Sequence, residues 1–432
     1  MKESFIVEGI GGKRVLEGNI PVRGSKNAVL PAMASSIIFN KPLTLTNVPD
    51  IEDVHRMAEL LENLGAVPEQ TKKREYVISG NKTHTSVMDE FLSKKMRASV
   101  ILTGPLLARF KKITFPHPGG CVIGARPIDL FLSGFEKMGA TVKEQKESFI
   151  VTAPKTGLKG ANIFFHIPSV TASETFIMAA VLARGKTYLK NVALEPEVTA
   201  LAEFLVSCGA KIEGIGTPML EIVGTGGKLL SPKRVYKTIP DRLETGSFLV
   251  LAALAGKDVT ITDCQPEHIE ILTDMLIQSG VSIDIGKNTI RVQQSTKKNF
   301  RPFNIKTHEY PGFPTDIQAP TVVYLTQAKG DSLVFETIFE GRLQFTQDLV
   351  KMGADITLWD AHRAMIKGPT PLKGREVDGP DIRAGLALLV AAVIAQGTST
   401  INNVYYIDRG YEKIEERFRD IGITIERVVK EV

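Results

Sequence analysis

The sequence predicts an α/β protein of two domains, built from six repeated units with three units to each domain. Three observations carry that prediction. A helix ending in glycine recurs at Gly65, Gly139, Gly209, Gly280, Gly353 and Gly422, with 69–74 residues between successive copies. A nearly all-apolar helix precedes each copy, the pattern of a helix packed inside a domain. Finally, Ser4-Phe5-Ile6-Val7 matches Ser148-Phe149-Ile150-Val151 of the second unit, which lets the start of the chain complete the last unit.

The glycine copies read Leu64-Gly65-Ala66-Val67, Met138-Gly139-Ala140-Thr141, Cys208-Gly209-Ala210-Lys211, Ser279-Gly280-Val281-Ser282, Met352-Gly353-Ala354-Asp355 and Ile421-Gly422-Ile423-Thr424. Glycine belongs where a helix must leave through the left-handed region into a strand. The apolar helices are expected over 28–38, 98–108, 174–183, 246–255, 317–325 and 384–395. A β-rich run such as Leu43-Thr44-Leu45-Thr46 follows each, then the second helix and two strands. The sixth unit runs out one strand short, and the N-terminal match supplies it. Residues 1–25 are therefore expected to join the domain of 237–432, leaving 26–236 as the other. Crossings fall near Pro21–Ser25 and Ser231–Pro240, where Pro, Gly and basic residues break the periodicity. Paired crossings suit hinge closure over a ligand.

A chain of 432 residues, 43% hydrophobic and 23% charged, has material for more than one core. Its 53 Lys and Arg are interleaved with 48 Asp and Glu for a net charge of +5, favouring small anionic ligands over nucleic acid. One Trp and 7% aromatic content provide no set of stacking platforms for bases. No apolar run fits a signal peptide at the N-terminus, and the most apolar stretch, 385–395, falls short of the ~20 residues that span a bilayer. The expectation is a soluble cytoplasmic protein without membrane attachment or obligate protein partner. Cys121, Cys208 and Cys264 are odd in number and widely spaced, suiting neither a disulfide framework nor a zinc site. With no dinucleotide fingerprint either, no metal or other cofactor is expected.

Polar groups gather at the starts of the apolar helices: Ser25-Lys26-Asn27, Lys95-Met96-Arg97, Ser169-Val170-Thr171, Asp241-Arg242 with Glu244, Thr315-Asp316, and Asp381 with Arg383. Helix N-termini present unsatisfied N–H groups and positive potential, so several together make an anion site. Each alone could equally be an ordinary cap or a solvated charge. Arg126, Arg342 and Arg409 stand beside Gly or Pro at turns entering second helices, where a guanidinium can reach forward without burying its stem in a core. Such forks clamp phosphate or carboxylate; the plainer alternative pairs them with neighbours such as Asp129 or Asp408. The run Pro116-His117-Pro118-Gly119-Gly120-Cys121 reads as a loop, and a thiol there near Arg126 has the surroundings of a reactive cysteine. Cys208, among Phe204, Leu205 and Val206, reads as a buried hydrophobe.

The motifs Gly24-Ser25-Lys26-Asn27-Ala28, the Pro-Gly-Gly-Cys loop leading into Gly-Ala-Arg-Pro-Ile-Asp-Leu, Pro240-Asp241-Arg242-Leu243-Glu244-Thr245-Gly246, Phe313-Pro314-Thr315-Asp316 and Asp408-Arg409-Gly410-Tyr411-Glu412 run in order along the chain. Together they resemble the UDP-N-acetylglucosamine enolpyruvyl transferase family. The resemblance implies a two-domain inside-out α/β barrel with the active site in the interdomain cleft, and phosphoenolpyruvate and UDP-N-acetylglucosamine as substrates. It implies Asp316 as the base, Cys121 acting on phosphoenolpyruvate as proton donor or in a covalent adduct, and catalytic roles for Lys26 and Arg409. Lys26, Arg97, Arg126 and Arg409 would hold the phosphate and carboxylate, with Arg342 and Arg383 close by. Asn27, Ser169, Val170 and the stretch Arg126, Pro127, Ile128, Asp129 and Leu130 would line the nucleotide-sugar pocket. Thr171 stands where that family generally has Gly, Ser173-Glu174 replaces Thr-Glu-Asn, and Phe131 stands where His is frequent. The sister transferases acting on shikimate 3-phosphate share the six-unit fold but lack the cysteine loop and have Lys-Ser in place of Lys26-Asn27. A non-catalytic relative would have lost Cys121, Asp316 or Lys26, and none is lost.

Overall fold

The computed structural model describes residues 2–117, 123–124, 127–294 and 300–430. Strands β1 (Lys2–Ile10) and β2 (Leu16–Pro21) come first. The first unit follows as α1 (Lys26–Ser35), β3 (Leu43–Thr46), α2 (Glu52–Asn63), β4 (Val67–Lys72) and β5 (Glu75–Ser79). The second consists of α3 (Glu90–Lys95), a 3-10 segment Arg97–Leu102, α4 (Thr103–Phe110), β6 (Lys112–Pro116), α5 (Asp129–Lys137), β7 (Thr141–Glu144) and β8 (Ser148–Thr152). The third is β9 (Asn162–Phe164), α6 (Val170–Leu182), β10 (Lys186–Lys190), α7 (Pro196–Ser207), β11 (Lys211–Glu213) and β12 (Met219–Val223). Then come β13 (Tyr236–Lys237), α8 (Arg242–Ala255), β14 (Gly256–Thr262), α9 (Glu270–Ser279), β15 (Ser282–Ile285) and β16 (Thr289–Gln293). The fifth has β17 (Ile305–Lys306), α10 (Thr315–Leu325), β18 (Gly330–Phe335), α11 (Thr346–Lys351), β19 (Asp355–Leu358) and β20 (Arg363–Gly368). The sixth has β21 (Glu376–Asp378), α12 (Ile382–Ile394), β22 (Gln396–Asn402), α13 (Val404–Asp408), α14 (Ile414–Arg419) and β23 (Ile425–Lys430).

All six repeat glycines have positive φ, from 89° at Gly65 and Gly139 to 112° at Gly280. The amide after each one returns to the carbonyl five residues back, as in Ala66 N to Leu61 O at 2.9 Å and Ile423 N to Phe418 O at 3.0 Å. This closure satisfies the last helical carbonyls and aims the chain into the next strand. One expectation needs correction. The helix expected over 98–108 divides into the 3-10 segment and α4, which seats Pro105 in the first turn of α4, where its missing N–H costs no helical hydrogen bond.

Among the described residues the strands form six separate sheets, five of them mixed and one, β6-β8-β7, antiparallel, and none closes on itself. Most carry a short strand not foreseen from sequence, added parallel at one edge: β9 beside β10, β17 beside β18, β21 beside β22. These strands have only two or three residues, too few to show a period. Two sheets take theirs from a distant place in the chain, β2 pairing with β14 and β13 with β3. The sixth sheet has the order β21-β22-β1-β23, so β1 lies between strands formed by the end of the chain.

The chain separates into two compact units, one containing Met1–Arg23 and Pro240–Val432, the other Gly24–Gly120 and Arg126–Ile239, with Ile123 and Gly124 grouped in the first. Each unit has its own hydrophobic core. The first helices lie deepest: every residue of α8 is buried, as is every residue of α12 after Ile382. Each buried Leu, Ile or Val contributes roughly 1.5–3 kcal/mol, and hydroxyls among them are satisfied by their own helix, as Ser247 Oγ donates to Leu243 O at 2.7 Å. None of the helices among the described residues is long and apolar enough to cross a membrane.

Candidate active site

In the unit of Gly24–Ile239, Ser25 caps α1 by accepting from Ala28 N at 3.3 Å. That places Lys26 and Asn27 in the first turn, both partly exposed. Lys26 Nζ donates to Asp53 Oδ2 at 3.1 Å, and Asp53, in the first turn of α2, is buried. Lys26 is thus held by a carboxylate that itself sits at a positive helix end. Arg97 opens the 3-10 segment and is half-buried. Ser169 caps α6, accepting from Ala172 N at 3.3 Å, with Val170 and Thr171 in the first turn and partly exposed. Thr171 is helical there, so its backbone needs no glycine. At the start of α5 the chain exposes Pro127 and Asp129 and leaves Leu130 half-buried. Ile128 and Phe131 turn into the core, where the Phe131 ring lies 6.4 Å from that of Phe176. The substitution at Phe131 is thus a change of core packing.

In the other unit the charges are knitted more tightly. Asp316, in the first turn of α10, makes an ion pair with Arg342 Nη2 through Oδ1 and accepts from Arg383 Nε at 3.3 Å through Oδ2. Arg342 also donates from Nε to Thr315 Oγ1 at 3.3 Å and faces Asp381 at 3.9 Å. Asp381 caps α12, accepting from Arg383 N at 2.7 Å and Ala384 N at 3.1 Å. Arg383 Nη1 reaches the Tyr411 hydroxyl at 2.8 Å. Burial would push the Arg383 guanidinium down, but Tyr411, Asp316 and Asp241 outweigh it and hold the group above its usual range. Pro320 has no N–H to offer the Asp316 carbonyl one turn back.

One sequence expectation changes here. Arg342 does not keep its stem out of the core: it is 4% exposed, drawn in by Asp316, Asp381 and Thr315. Arg409 is the half-buried C-cap of α13, and its neighbour Asp408 takes both arms of Arg427 at 2.8 Å. Cys121 and Arg126 lie outside the described residues. Cys208 and Cys264 are both buried, and burial pushes the Cys264 thiol up to about 11.

The family model for EPSP synthase (3-phosphoshikimate 1-carboxyvinyltransferase) matches residues 10–418. The chain belongs to this family of enolpyruvyl transferases. Within it, the chain is 44% identical to the UDP-N-acetylglucosamine 1-carboxyvinyltransferase of Desulforapulum autotrophicum over 97% of this chain and 98% of that protein. It is 43% identical to the protein of that name from Koribacter versatilis, over 99% and 96% respectively. Among solved structures, the enolpyruvyl transferase NikO of Streptomyces tendae superposes with a TM-score of 0.88 at 22% identity, covering both chains fully. EPSP synthase of Acinetobacter baumannii superposes with a TM-score of 0.73 at 19% identity over 99% of this chain and 100% of that one. The enolpyruvyl transferase fold follows from these likenesses.

Sequence reasoning did not give Asp53, Glu336 or Tyr411 a place in the site of this family member. Tyr411 stood within a quoted motif beside Arg409, and its ring could have been suspected. Asp53 and Glu336 lie 27 and 21 residues from the groups they hold, and no spacing rule links such pairs.

Proposed function

We propose that this protein transfers the enolpyruvyl group of phosphoenolpyruvate to the 3′-hydroxyl of UDP-N-acetylglucosamine, releasing phosphate, as a step of peptidoglycan precursor synthesis in the cytoplasm. The observation that carries the reading is the 44% identity, over nearly the full length of both chains, to a relative bearing that activity in its name. The shikimate 3-phosphate reaction is less supported, since the EPSP synthase structures are only 19–20% identical. The six repeats, with their apolar helices inside and their sheets outside, are read as an inside-out α/β barrel; the complete burial of α8 supports this.

Chemically, C3 of phosphoenolpyruvate gains a proton, the sugar oxygen bonds to C2, and the hydroxyl proton passes to a base. The tetrahedral adduct then loses a proton from C3 and expels phosphate. Asp316 suits the base: its two oxygens are fixed by separate guanidiniums, and the side chain is 28% exposed. Lys26, Arg97, Arg126 and Arg409 are assigned to the phosphate and carboxylate, where fixed positive charge stabilises the adduct more than the substrate. Arg342 and Arg383 hold the base. Asn27, Ser169, Val170, Pro127 and Asp129 are assigned to the nucleotide sugar, and Cys121 to the phosphoenolpyruvate side. Phosphate release on mixing the protein with both substrates tests the proposal. No release, or release with shikimate 3-phosphate in place of the nucleotide sugar, overturns it.

A further inference from the structure

Glu336 follows β18 directly and is fully buried. Its hydrogen bonds come from hydroxyls and amides. Oε1 accepts from Thr307 Oγ1 at 3.1 Å, Ile338 N at 2.8 Å and Phe339 N at 3.2 Å, while Oε2 accepts from Thr315 Oγ1 at 2.9 Å. Burying a carboxyl group is unfavourable unless such donors compensate it, and an apolar side chain would fill the space without that demand. The group is informative for what it does to Thr315. A threonine hydroxyl has one hydrogen, and here it is committed to Glu336. The oxygen lone pairs must then face elsewhere, and Arg342 Nε donates to them at 3.3 Å. The same guanidinium pairs with Asp316 through Nη2.

We propose that Glu336 is a positioning residue for the base: it fixes the Thr315 hydroxyl as an acceptor, and through it the fork of Arg342 against Asp316. Glu336 also anchors the segment that carries Arg342. Its Oε1 caps Ile338 and Phe339, and Thr307, another of its donors, accepts hydrogen bonds from Thr337 N at 2.8 Å and Thr337 Oγ1 at 2.6 Å. One buried carboxyl group therefore holds both the acceptor on α10 and the chain leading to the donor. The inference rests on Asp316 being the base of the proposed transfer.

Glu336→Gln tests it. Two backbone amides demand an acceptor at Oε1, so the new amide oxygen stays there and the NH2 faces Thr315. The threonine hydrogen is displaced toward Arg342, donor against donor. The expected result is a fall in kcat of about 10–100-fold, the scale on which misplaced positioning groups act, with little change in KM for the nucleotide sugar and a displaced pH limb in kcat. Thr315→Val should reproduce the effect, Thr315→Ser should retain wild-type rates, and the double variant Glu336→Gln, Thr315→Val should be no slower than either single one. Wild-type kcat and pH limb in Glu336→Gln, or losses that multiply in the double variant, overturn the inference. If Glu336→Gln fails to fold, the Thr315 pair reads the same relay: Val slow and Ser normal supports it, equal rates refute it. The Arg342 Nε–H resonance in arginine-labelled protein separates this inference from the proposed function. Protection in the wild type that is lost in Thr315→Val supports the relay even if no phosphate is released, and unchanged protection sinks it.

Discussion

Asp316 is fixed on both oxygens by arginines whose side chains are almost wholly buried, so its position is set before any substrate arrives. Asp316→Asn keeps the shape and removes the basic group. Turnover should fall about 100-fold or more while the thermal transition is retained, and an Asn variant with wild-type turnover would show that another group takes the proton. Cysteine chemistry gives a second residue-scale expectation. With Cys208 and Cys264 buried and the Cys264 thiol pushed up by burial, alkylation of the native protein should fall on Cys121 and stop turnover. A small epoxide phosphonate such as fosfomycin should label the same thiol. Mass spectrometry finding the adduct mainly on Cys208 or Cys264 would remove Cys121 from the proposed site. At this scale sequence reading named Asp316, Arg342 and Arg383, because each lies at a helix start or beside a turn glycine. It missed Asp53 and Glu336, because a buried partner supplied from another element leaves no trace in local spacing.

Among the elements, α6 carries an unusual buried carboxyl group. Glu174 is 2% exposed, its Oε1 has no hydrogen-bond partner, and burial together with Glu197 and Glu195 raises its carboxyl well above the ordinary value of 4.5. Above that pH the unfolded chain releases the proton while the folded chain keeps it, so stability declines as pH rises toward the folded-state value. Glu174→Gln removes the decline. The variant should gain in Tm relative to wild type as pH rises from 4 to 8, by about 2–4 °C for each kcal/mol removed. A Tm difference independent of pH would mean that Glu174 does not hold its proton. The elements were largely legible because their signals are local: glycine at helix ends, apolar helices after polar caps. The exceptions have physical causes. The start of α4 seats Pro105 in its first turn, the parallel edge strands are too short for a pattern, and in the sixth unit the second helix breaks into α13 and α14 around Gly410.

For the whole molecule, the two cores are separate but their chain economy differs. A fragment of residues 24–239 contains one core entirely and should unfold in a single cooperative transition. A fragment of 240–430 should not, since it lacks Phe5, Val7, Leu16, Ile20 and Val22, each at most 3% exposed in the intact protein. At roughly 2 kcal/mol each their loss removes about 10 kcal/mol, as much as the whole stability of a typical domain. Adding a peptide of residues 1–23 should restore the transition; a cooperative transition without it would show that β1 and β2 are dispensable.

The seat of β1 between β22 and β23 also imposes an order of events on the ribosome. Ser4 Oγ bonds Asn402 at 2.7 Å, and Arg427 bonds Glu3 at 2.6 Å, so β1 must wait for partners made some 400 residues later. At 5–20 residues per second that delay is roughly 20–80 s, long enough for residues 24–239 to fold during translation. Throughout it the apolar side chains of Phe5, Ile6 and Val7 have no sheet to enter, leaving a nascent segment suited to a chaperone. Stalled ribosomes carrying chains of increasing length should therefore yield a protease-resistant core from residues 24–239 early, while the first ten residues stay cleavable until β23 has left the exit tunnel.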